Sequence, residues 1–289
     1  MTFRHIIARM PSNVQKTVTS GHASTTHQST PPEALPLPEQ SAGSPNSTLS
    51  RKQREMLERE TLILDAAQSI LHQHGYNYLS MERVAEKVEY SKGTIYNHFA
   101  SKEDMVCSLS CRCVNNLIDI FQRAYDYPGS TRERYAAIGI GYSLYHQLHP
   151  MDVQNIQAVK NNAVREKISE QKLKEMESLE QQITRIAQSI VSEAIERGDL
   201  DKKYKDDTGT IVFGCWSMHY GALMLNQSAI PLHELGFSPV VQMLWRNANI
   251  YLDGYHWQPL SSETDTKKLF EKISSALFDG ELEQLKNRV

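Results

Sequence analysis

The chain has 289 residues, a formal net charge of −3 and a hydrophobic content of 40%. This length predicts about two domains with full cores, whereas the balanced charge excludes a generally basic surface that would coat nucleic acid. The sequence lacks an apolar run of the roughly eighteen residues that a membrane span needs, and four cysteines do not form a disulfide framework. We therefore expect a cytoplasmic protein without membrane contact.

Residues 1–50 differ in composition from the rest. From Pro11 to Ser50 the chain is rich in Ser, Thr, Pro and Gln and has few bulky apolar side chains. Such a segment cannot bury enough surface to offset its ordering entropy, so it is predicted to be a disordered tail. The alternatives are a tail without a defined role, a sequence start that was assigned too far upstream, and a mobile arm that touches DNA.

Four helix starts follow in close succession. The apolar face of the first helix is predicted from three- and four-residue spacing: Leu62, Ile63, Ala66, Ala67, Ile70 and Leu71. Gly75 ends this helix, and Ser80 caps a second one whose buried side is Met81, Val84, Ala85 and Val88. Ser91 begins a third helix after only the short turn Val88–Tyr90, and Ser101 begins a fourth. This spacing predicts a helix-turn-helix.

The third helix has a polar side suited to DNA. Ile95 and Phe99 lie four residues apart and are predicted to face the core, which leaves Lys92, Tyr96 and Asn97 on the other side with Gly93. Lysine and asparagine hydrogen-bond to base edges or phosphates, tyrosine donates to phosphate oxygens, and glycine permits close backbone approach. The alternative is an ordinary solvated helix face.

Together these residues resemble the DNA-binding domain of TetR-family transcriptional regulators. The resemblance rests on Ile63–Ala67, Gly75-Tyr76, Ser80-Met81, Val84-Ala85 and the run from Ser91 to Phe99 followed by Ser101-Lys102-Glu103. It implies an all-α homodimer, with a helix-turn-helix domain at residues 51–105 (the head) and a helical ligand-binding and dimerisation domain at 106–289 (the body). It also implies that the protein binds a palindromic double-stranded DNA operator and that a small-molecule effector releases the protein from it.

The same resemblance implies which side chains contact DNA. They are Ser80, Arg83, Ser91, Lys92, Gly93, Thr94, Tyr96, Asn97, His98 and Lys102. One position departs from the family pattern, because Glu89 occupies the turn where glycine is common. The head also carries no excess of positive charge, with eight Lys or Arg against nine Asp or Glu in residues 51–105. Attraction to phosphate must therefore come from a few cations at specific positions. They are Arg51, Lys52 and Arg54 ahead of the first helix, and Lys92 and Lys102 around the third.

Helical periodicity continues through the body. The fourth helix carries Leu109, Leu117, Ile118 and Phe121 and ends before Pro128-Gly129. A fifth helix carries the stripe Tyr135, Ile138, Tyr142, Tyr145 and His149 and is closed by Pro150. An amphipathic helix is predicted over the polar segment Val164–Arg197, ended by Gly198, with an interior face of Ile168, Leu173, Met176, Leu179, Ile183, Ile186, Ile190 and Ala194.

The resemblance implies that the segments Thr210–Asn226 and Val240–Leu252 form the dimer interface. Gly214, Ser217 and Gly221 form a small-residue track that permits close approach of another helix, beside the bulkier Trp216, Tyr220 and Leu223. Two such helices from each subunit would make a four-helix interface. The alternative is a helix pair that is buried within a monomer.

Candidate ligand contacts in the body are apolar side chains with a polar tip: Tyr142, Tyr145, His146, Trp216, His219, Tyr220 and Met224. Their low charge indicates a neutral or weakly polar, largely apolar effector, although such a stripe also suits a plain core. No cofactor or metal is expected, because Cys107, Cys111 and Cys113 are poorly spaced on one helix and the pair His146 and His149 lacks further ligands.

The sequence lacks the motifs of enzyme chemistry, so the chain is predicted not to be an enzyme. The favoured function is that of a DNA-binding repressor, which a small effector releases from its operator. The alternative is a similar DNA-bound scaffold with a filled body, controlled by a protein partner.

Overall fold

The computed structural model describes residues 50–227 and 230–287, and every regular element in these ranges is helical. The α-helices of this part of the chain are α1 (Arg51–His74), α2 (Met81–Lys87), α3 (Lys92–His98), α4 (Lys102–Tyr125), α5 (Thr131–Leu148), α6 (Pro150–Lys160), α7 (Asn162–Arg165), α8 (Glu170–Arg197), α9 (Thr208–Asn226), α10 (Val240–Gly254), α11 (Thr266–Leu277) and α12 (Asp279–Lys286). The predicted all-α class is confirmed. Within the same ranges, no helix combines the length and apolar character that crossing a membrane requires.

The predicted tail lies outside the described residues, apart from Ser50. The hydroxyl of Ser50 accepts the N–H of Gln53, and the Gln53 side chain accepts the N–H of Ser50, so a capping box begins α1. The three cations Arg51, Lys52 and Arg54 therefore lie in the first turn of α1. The prediction that they precede this helix is wrong, because Ser50 is the residue that ends the extended backbone.

α2, α3 and α4 each begin at the serine that the sequence predicts. The serine hydroxyl accepts a backbone N–H of the first turn: Arg83 for Ser80 (3.3 Å), Thr94 for Ser91 (3.1 Å) and Asp104 for Ser101 (3.0 Å). Each bond satisfies an N–H group that has no partner within the helix. The helix starts of the head are thus set by local chemistry.

The buried face of α1 differs from the prediction at one position. Leu62 is 53% exposed, whereas Leu64 is buried with the other predicted residues. At about 100° per residue, Leu62 lies farther than Leu64 from the middle of the stripe that contains Ile63, Ala67 and Leu71. The buried stripe of α1 therefore includes Leu64 at its edge and leaves out Leu62.

Two head residues have a positive φ. Gly75 ends α1 with φ 76° and ψ 176°, a combination open essentially to glycine alone. Glu89 has φ 56°. Its N–H donates to the Glu86 carbonyl and the Tyr90 N–H donates to the Ala85 carbonyl, which is the Schellman arrangement. A residue with a Cβ therefore occupies a left-handed position in the turn between α2 and α3.

We expect Glu89→Gly to stabilise the fold by about 0.5–1 kcal/mol. Relief of the left-handed strain contributes about 1–2 kcal/mol, and the greater freedom of glycine in the unfolded chain offsets about 0.5–1 kcal/mol. Urea unfolding of the full chain measures the difference. The control is Glu86→Gly in α2, which should destabilise by about 1 kcal/mol. Equal destabilisation by both substitutions would contradict strain at Glu89.

α4 joins the head to the body. It packs against α1 of the head and against α5, α6 and α8 of the body. Its predicted interior residues Leu109, Leu117, Ile118 and Phe121 are buried, and it ends at Tyr125 before the predicted Pro128-Gly129 turn. α5 likewise buries its stripe of Tyr135, Ile138, Tyr142 and Tyr145, and Pro150 then begins α6.

The start of the long polar helix was predicted wrongly. Val164 belongs to the separate short α7, and α8 begins only at Glu170. The Asn161 side chain caps α7, and Ser169 caps α8 while its own N–H donates to Asp104 Oδ1 of α4 at 2.6 Å. These side-chain caps compete with a continuous helix. The end at Gly198 is as predicted, in the left-handed region.

Candidate nucleic-acid interface and body cavity

α3 presents a polar face to solvent because its apolar residues anchor it. Ile95 and Phe99 are 0% and 1% exposed and belong to the main core, as predicted. The opposite side exposes Ser91, Lys92, Gly93, Tyr96 and Asn97, and Tyr96 is half exposed. We call these five residues the α3 face. Its side chains add little to the core, so the α3 face is free to contact a groove.

Lys92 has an acidic neighbour on α2. Its ammonium lies 3.2 Å from Glu82 Oε1. The N–H of Glu82 itself, at the start of α2, and the nearby Lys92 lower the pKa of the Glu82 carboxyl. Because both side chains are exposed, solvent screens the ion pair and Lys92 can leave it at little cost. Glu82 was not identified from the sequence, because only the packing of α2 against α3 brings it next to Lys92.

Two other predicted contacts are held against aromatic rings. Arg83 donates to the Tyr78 carbonyl at 2.5 Å, and its guanidinium lies 3.6 Å from the centre of the Tyr78 ring. The Lys102 ammonium lies 4.4 Å from the centre of the Tyr76 ring. These contacts restrict two long, flexible cations, so less side-chain entropy remains to be lost on binding.

The remaining predicted contacts are less accessible. Ser80 is half-buried as the α2 cap, and the Thr94 hydroxyl lies 2.9 Å from Ser91 Oγ. His98 is half-buried beside Phe99, and its Nδ1 is a buried atom without a hydrogen-bond partner in the described part of the chain. Of the ten predicted residues, the five of the α3 face and Arg83 are therefore the exposed ones.

The body contains a cavity of about 480 Å³ with a largely apolar lining. Side chains from α4, α5, α6, α8, α9, α10 and α11 surround it. Four of the predicted ligand contacts line it: Tyr142, Trp216, His219 and Tyr220. Its volume lies within the range of small-molecule sites in proteins.

Three predicted ligand contacts, Tyr145, His146 and Met224, are not among the residues that line this cavity. The Tyr145 hydroxyl instead donates to Asp152 Oδ2 at 2.6 Å and accepts from Asn116 Nδ2 at 3.2 Å. His146 is buried beside Tyr142 and Tyr145, and burial, with the neighbouring His149, lowers its pKa to about 3. Helical spacing placed these residues on the aromatic stripe but did not show which of them border open space.

The cavity also has polar lining residues that the sequence did not indicate. Lys160 of α6 lies 3.9 Å from Glu180 Oε1 of α8, with its ammonium 4.9 Å from the centre of the Trp216 ring. Both charged side chains are more than 40% exposed, so this contact lies where the cavity meets solvent. Trp245 of α10 lines the cavity as well. These residues are far apart in sequence, and only tertiary packing brings them together.

A chain of hydrogen bonds links the head to the body. Arg112 of α4 donates to Asp65 Oδ1 and Gln68 Oε1 of α1, each at 2.6 Å. Gln68 Nε2 donates to Asp152 Oδ1 of α6 at 3.2 Å, and Asp152 also accepts the Tyr145 hydroxyl. Asp152 is 5% exposed, and this burial raises its pKa. The network connects the first helix of the head to α6, whose Ile156 and Lys160 line the cavity.

α9 and α10 expose an unusual amount of apolar surface. Phe213, Trp216 and Leu225 of α9 and Ile250 of α10 are 60%, 42%, 62% and 62% exposed. We call these four residues the α9/α10 face. The predicted small-residue track is divided: Ser217 and Gly221 border solvent, whereas Gly214 lies under the Tyr251 side chain of α10. Gly214 therefore serves packing within the chain.

Sequence comparison identifies the head. Residues 63–109 match the family model of bacterial regulatory proteins, tetR family. The chain is 39% identical over 54 residues, 19% of its length, to the uncharacterized HTH-type transcriptional regulator YuxN of Bacillus subtilis. It is 30% identical over 80 residues, 28% of its length, to the HTH-type transcriptional activator FasR of Mycolicibacterium smegmatis. The matched segments span 19% and 36% of these relatives.

Structural comparison extends the likeness to the body fold. A TetR family transcriptional regulator, PfmR, from Thermus thermophilus has a TM-score of 0.52 at 18% identity, over 66% of this chain and 97% of that one. At this identity the likeness concerns the fold alone. The matched family comprises regulators rather than enzymes. The helix-turn-helix, its capped helices and the family match agree, and residues 63–109 therefore form a DNA-binding domain of the tetR family of bacterial regulatory proteins.

Proposed function

We propose that this chain is a cytoplasmic, homodimeric repressor that binds a palindromic operator and is released by a small, largely apolar effector. The observation that carries the proposal is the apolar cavity of about 480 Å³ in a body that is packed directly on a TetR-type head. The head supplies DNA binding, and the cavity supplies a place for a ligand that controls it.

The α3 face is the proposed reading surface. In a helix-turn-helix the second helix enters the major groove, where its side chains contact base edges and phosphates. The ten predicted residues remain the proposed contact set, led by the exposed Lys92, Tyr96 and Asn97. With so few cations in the head, selectivity by hydrogen bonding is favoured over general attraction to phosphate.

The α9/α10 face is the proposed dimer interface. Phe213, Trp216, Leu225 and Ile250 form an apolar surface of the kind that monomers rarely leave in water. A two-fold axis through this surface would pair it with itself and make a four-helix interface. Two heads then read two half-sites, which doubles the contacts made by so small a helix.

The cavity favours a small-molecule effector over control by a protein partner. A scaffold that is controlled by another protein would need no cavity in its body. This body has one, and four predicted ligand contacts line it. α6 offers a route for coupling, because Ile156 and Lys160 line the cavity and Asp152 of the same helix accepts a hydrogen bond from Gln68 of the head. A ligand that prefers the conformation of the DNA-free protein lowers the affinity for the operator. The operator then lowers the affinity for the ligand by the same factor.

Selection of genomic DNA fragments by the purified full-length protein tests this function. We expect the bound fragments to share an inverted repeat whose half-sites lie one helical turn, about 10 base pairs, or a multiple of it apart. A reporter gene placed behind the repeat should be expressed less when the protein is present. Recovery of fragments without a common repeat would contradict specific binding, and higher reporter expression would make the protein an activator.

A further inference from the structure

The cavity contains a buried histidine with a defined proton position. His219 is 7% exposed, and its Nδ1 lies 2.8 Å from the Cys215 carbonyl of its own helix. A carbonyl oxygen can only accept, so Nδ1 carries the hydrogen. Burial lowers the pKa of His219, which keeps the imidazole neutral. Its Nε2 is therefore a hydrogen-bond acceptor.

The Nε2 edge of the imidazole packs closely against α5. A Cβ added to Gly139 would lie 2.8 Å from Nε2, so the absence of a side chain at Gly139 makes room for the ring. Gly139 and His219 both line the cavity. The hydrogen bond that His219 makes to the described part of the chain is the one through Nδ1. A ligand that donates to Nε2 adds a hydrogen bond in apolar surroundings.

A second lining residue, Trp245, carries a hydrogen-bond donor. The indole N–H of Trp245 is buried and lacks an acceptor within residues 50–227 and 230–287. By contrast, the charges of Lys160 and Glu180 face each other at the solvent-exposed end of the cavity. The lining residues thus include the His219 acceptor and a buried Trp245 donor, and the two lining charges, Lys160 and Glu180, are paired with each other.

We propose that the effector is a neutral alcohol or phenol with an apolar body, whose hydroxyl group donates to His219 Nε2. This inference rests on the proposed function, because it names the ligand class of the proposed effector site. It makes His219 the residue that distinguishes hydroxylated ligands from ligands of the same shape without a hydroxyl.

Three probes of equal chain length test the inference: 1-decanol, 1-methoxydecane and decanoic acid. Their binding to the full-length protein is followed by titration calorimetry and by fluorescence, since Trp216 and Trp245 line the cavity. One hydrogen bond to a buried group corresponds to about tenfold in affinity, so decanol should bind about tenfold more tightly than its methyl ether. Decanoate should bind more weakly than decanol.

Two matched variants assign the preference to one residue. His219→Phe should bind decanol and the ether with equal affinity, because it keeps an aromatic ring and loses the acceptor. His146→Phe is the control, since it replaces a buried imidazole that does not line the cavity, and it should keep the tenfold preference. Loss of the preference in His146→Phe alone would overturn the assignment to His219.

The comparison in the unchanged protein does not depend on any variant folding. Equal binding of alcohol and ether there would overturn the inference and leave an apolar effector site in place. Tightest binding by decanoate, abolished in Lys160→Met, would overturn it in favour of an acidic ligand. Failure of all three probes to bind would overturn it together with the effector part of the proposed function, whereas selection of an inverted repeat tests the DNA-binding part separately.

Discussion

Replacing Tyr96 by alanine should abolish specific operator binding and leave the fold and the proposed dimer intact. Tyr96 is half exposed at the middle of the α3 face, and the core beneath it is formed by Ile95 and Phe99. Each lost contact of this kind costs roughly 1–3 kcal/mol, and a two-fold dimer loses two, so affinity should fall on the order of 100-fold or more. Titration of the selected repeat at physiological salt measures this loss.

Lys92→Ala should have the same outcome for a related reason. Lys92 is the cation nearest the start of α3, and Glu82 holds it only through an exposed ion pair. Its removal takes away a phosphate or base contact from each head and leaves the Glu82 charge beside the DNA. The control is Lys268→Ala on α11, which removes an exposed, ion-paired lysine of the body. Retained operator affinity in Tyr96→Ala or Lys92→Ala, with helix content and sedimentation unchanged, would count heavily against the α3 face.

Ile250→Glu should convert the dimer into monomers. Ile250 is 62% exposed in the single chain, so the substitution removes little from the core. In a two-fold interface every substitution is present twice, and like charges facing each other in a dry interface cost several kcal/mol. We expect the dimer dissociation constant to rise at least about 100-fold. Sedimentation over a range of protein concentrations measures the change.

The same variant links assembly to DNA binding. A monomer contacts one half-site, so Ile250→Glu should also lose affinity for the full repeat. The matched control is Met56→Glu, which places the same charge on a similarly exposed apolar residue of α1. The control should remain a dimer. A dimeric Ile250→Glu protein would mean that the subunits pair through another surface.

The charge distribution of the head bears on selectivity. Lys92 is paired with Glu82, and Arg83 and Lys102 are positioned by Tyr78 and Tyr76. A surface of this kind neutralises few phosphates, and nonspecific affinity depends mainly on that number. Specific hydrogen bonds from the α3 face should therefore account for a large part of binding, which suits a regulator of a few operators.

Much of the head could be predicted from sequence because its structure depends on local interactions. The serine caps at Ser80, Ser91 and Ser101 form bonds within one turn of the chain, and the burial of Ile95 and Phe99 follows from helical spacing. The sequence marked Glu89 only as a departure from the family pattern, and the structure shows that this residue has a positive φ. The body helices were found by periodicity, with errors where a cap such as Ser169 is tied to another helix.

The amino-acid sequence by itself determined the family resemblance of the head, the helical class, the caps and the side of α3 that faces water, since these depend on neighbours a few residues away. Only the tertiary structure decided where space remains between helices. It separated Tyr142 and His219, which border the cavity, from Tyr145, which is bonded to Asp152, and it joined Gln68 to α6. Cavities and buried hydrogen-bond networks depend on how distant helices pack, and periodicity carries no information about the distance between them.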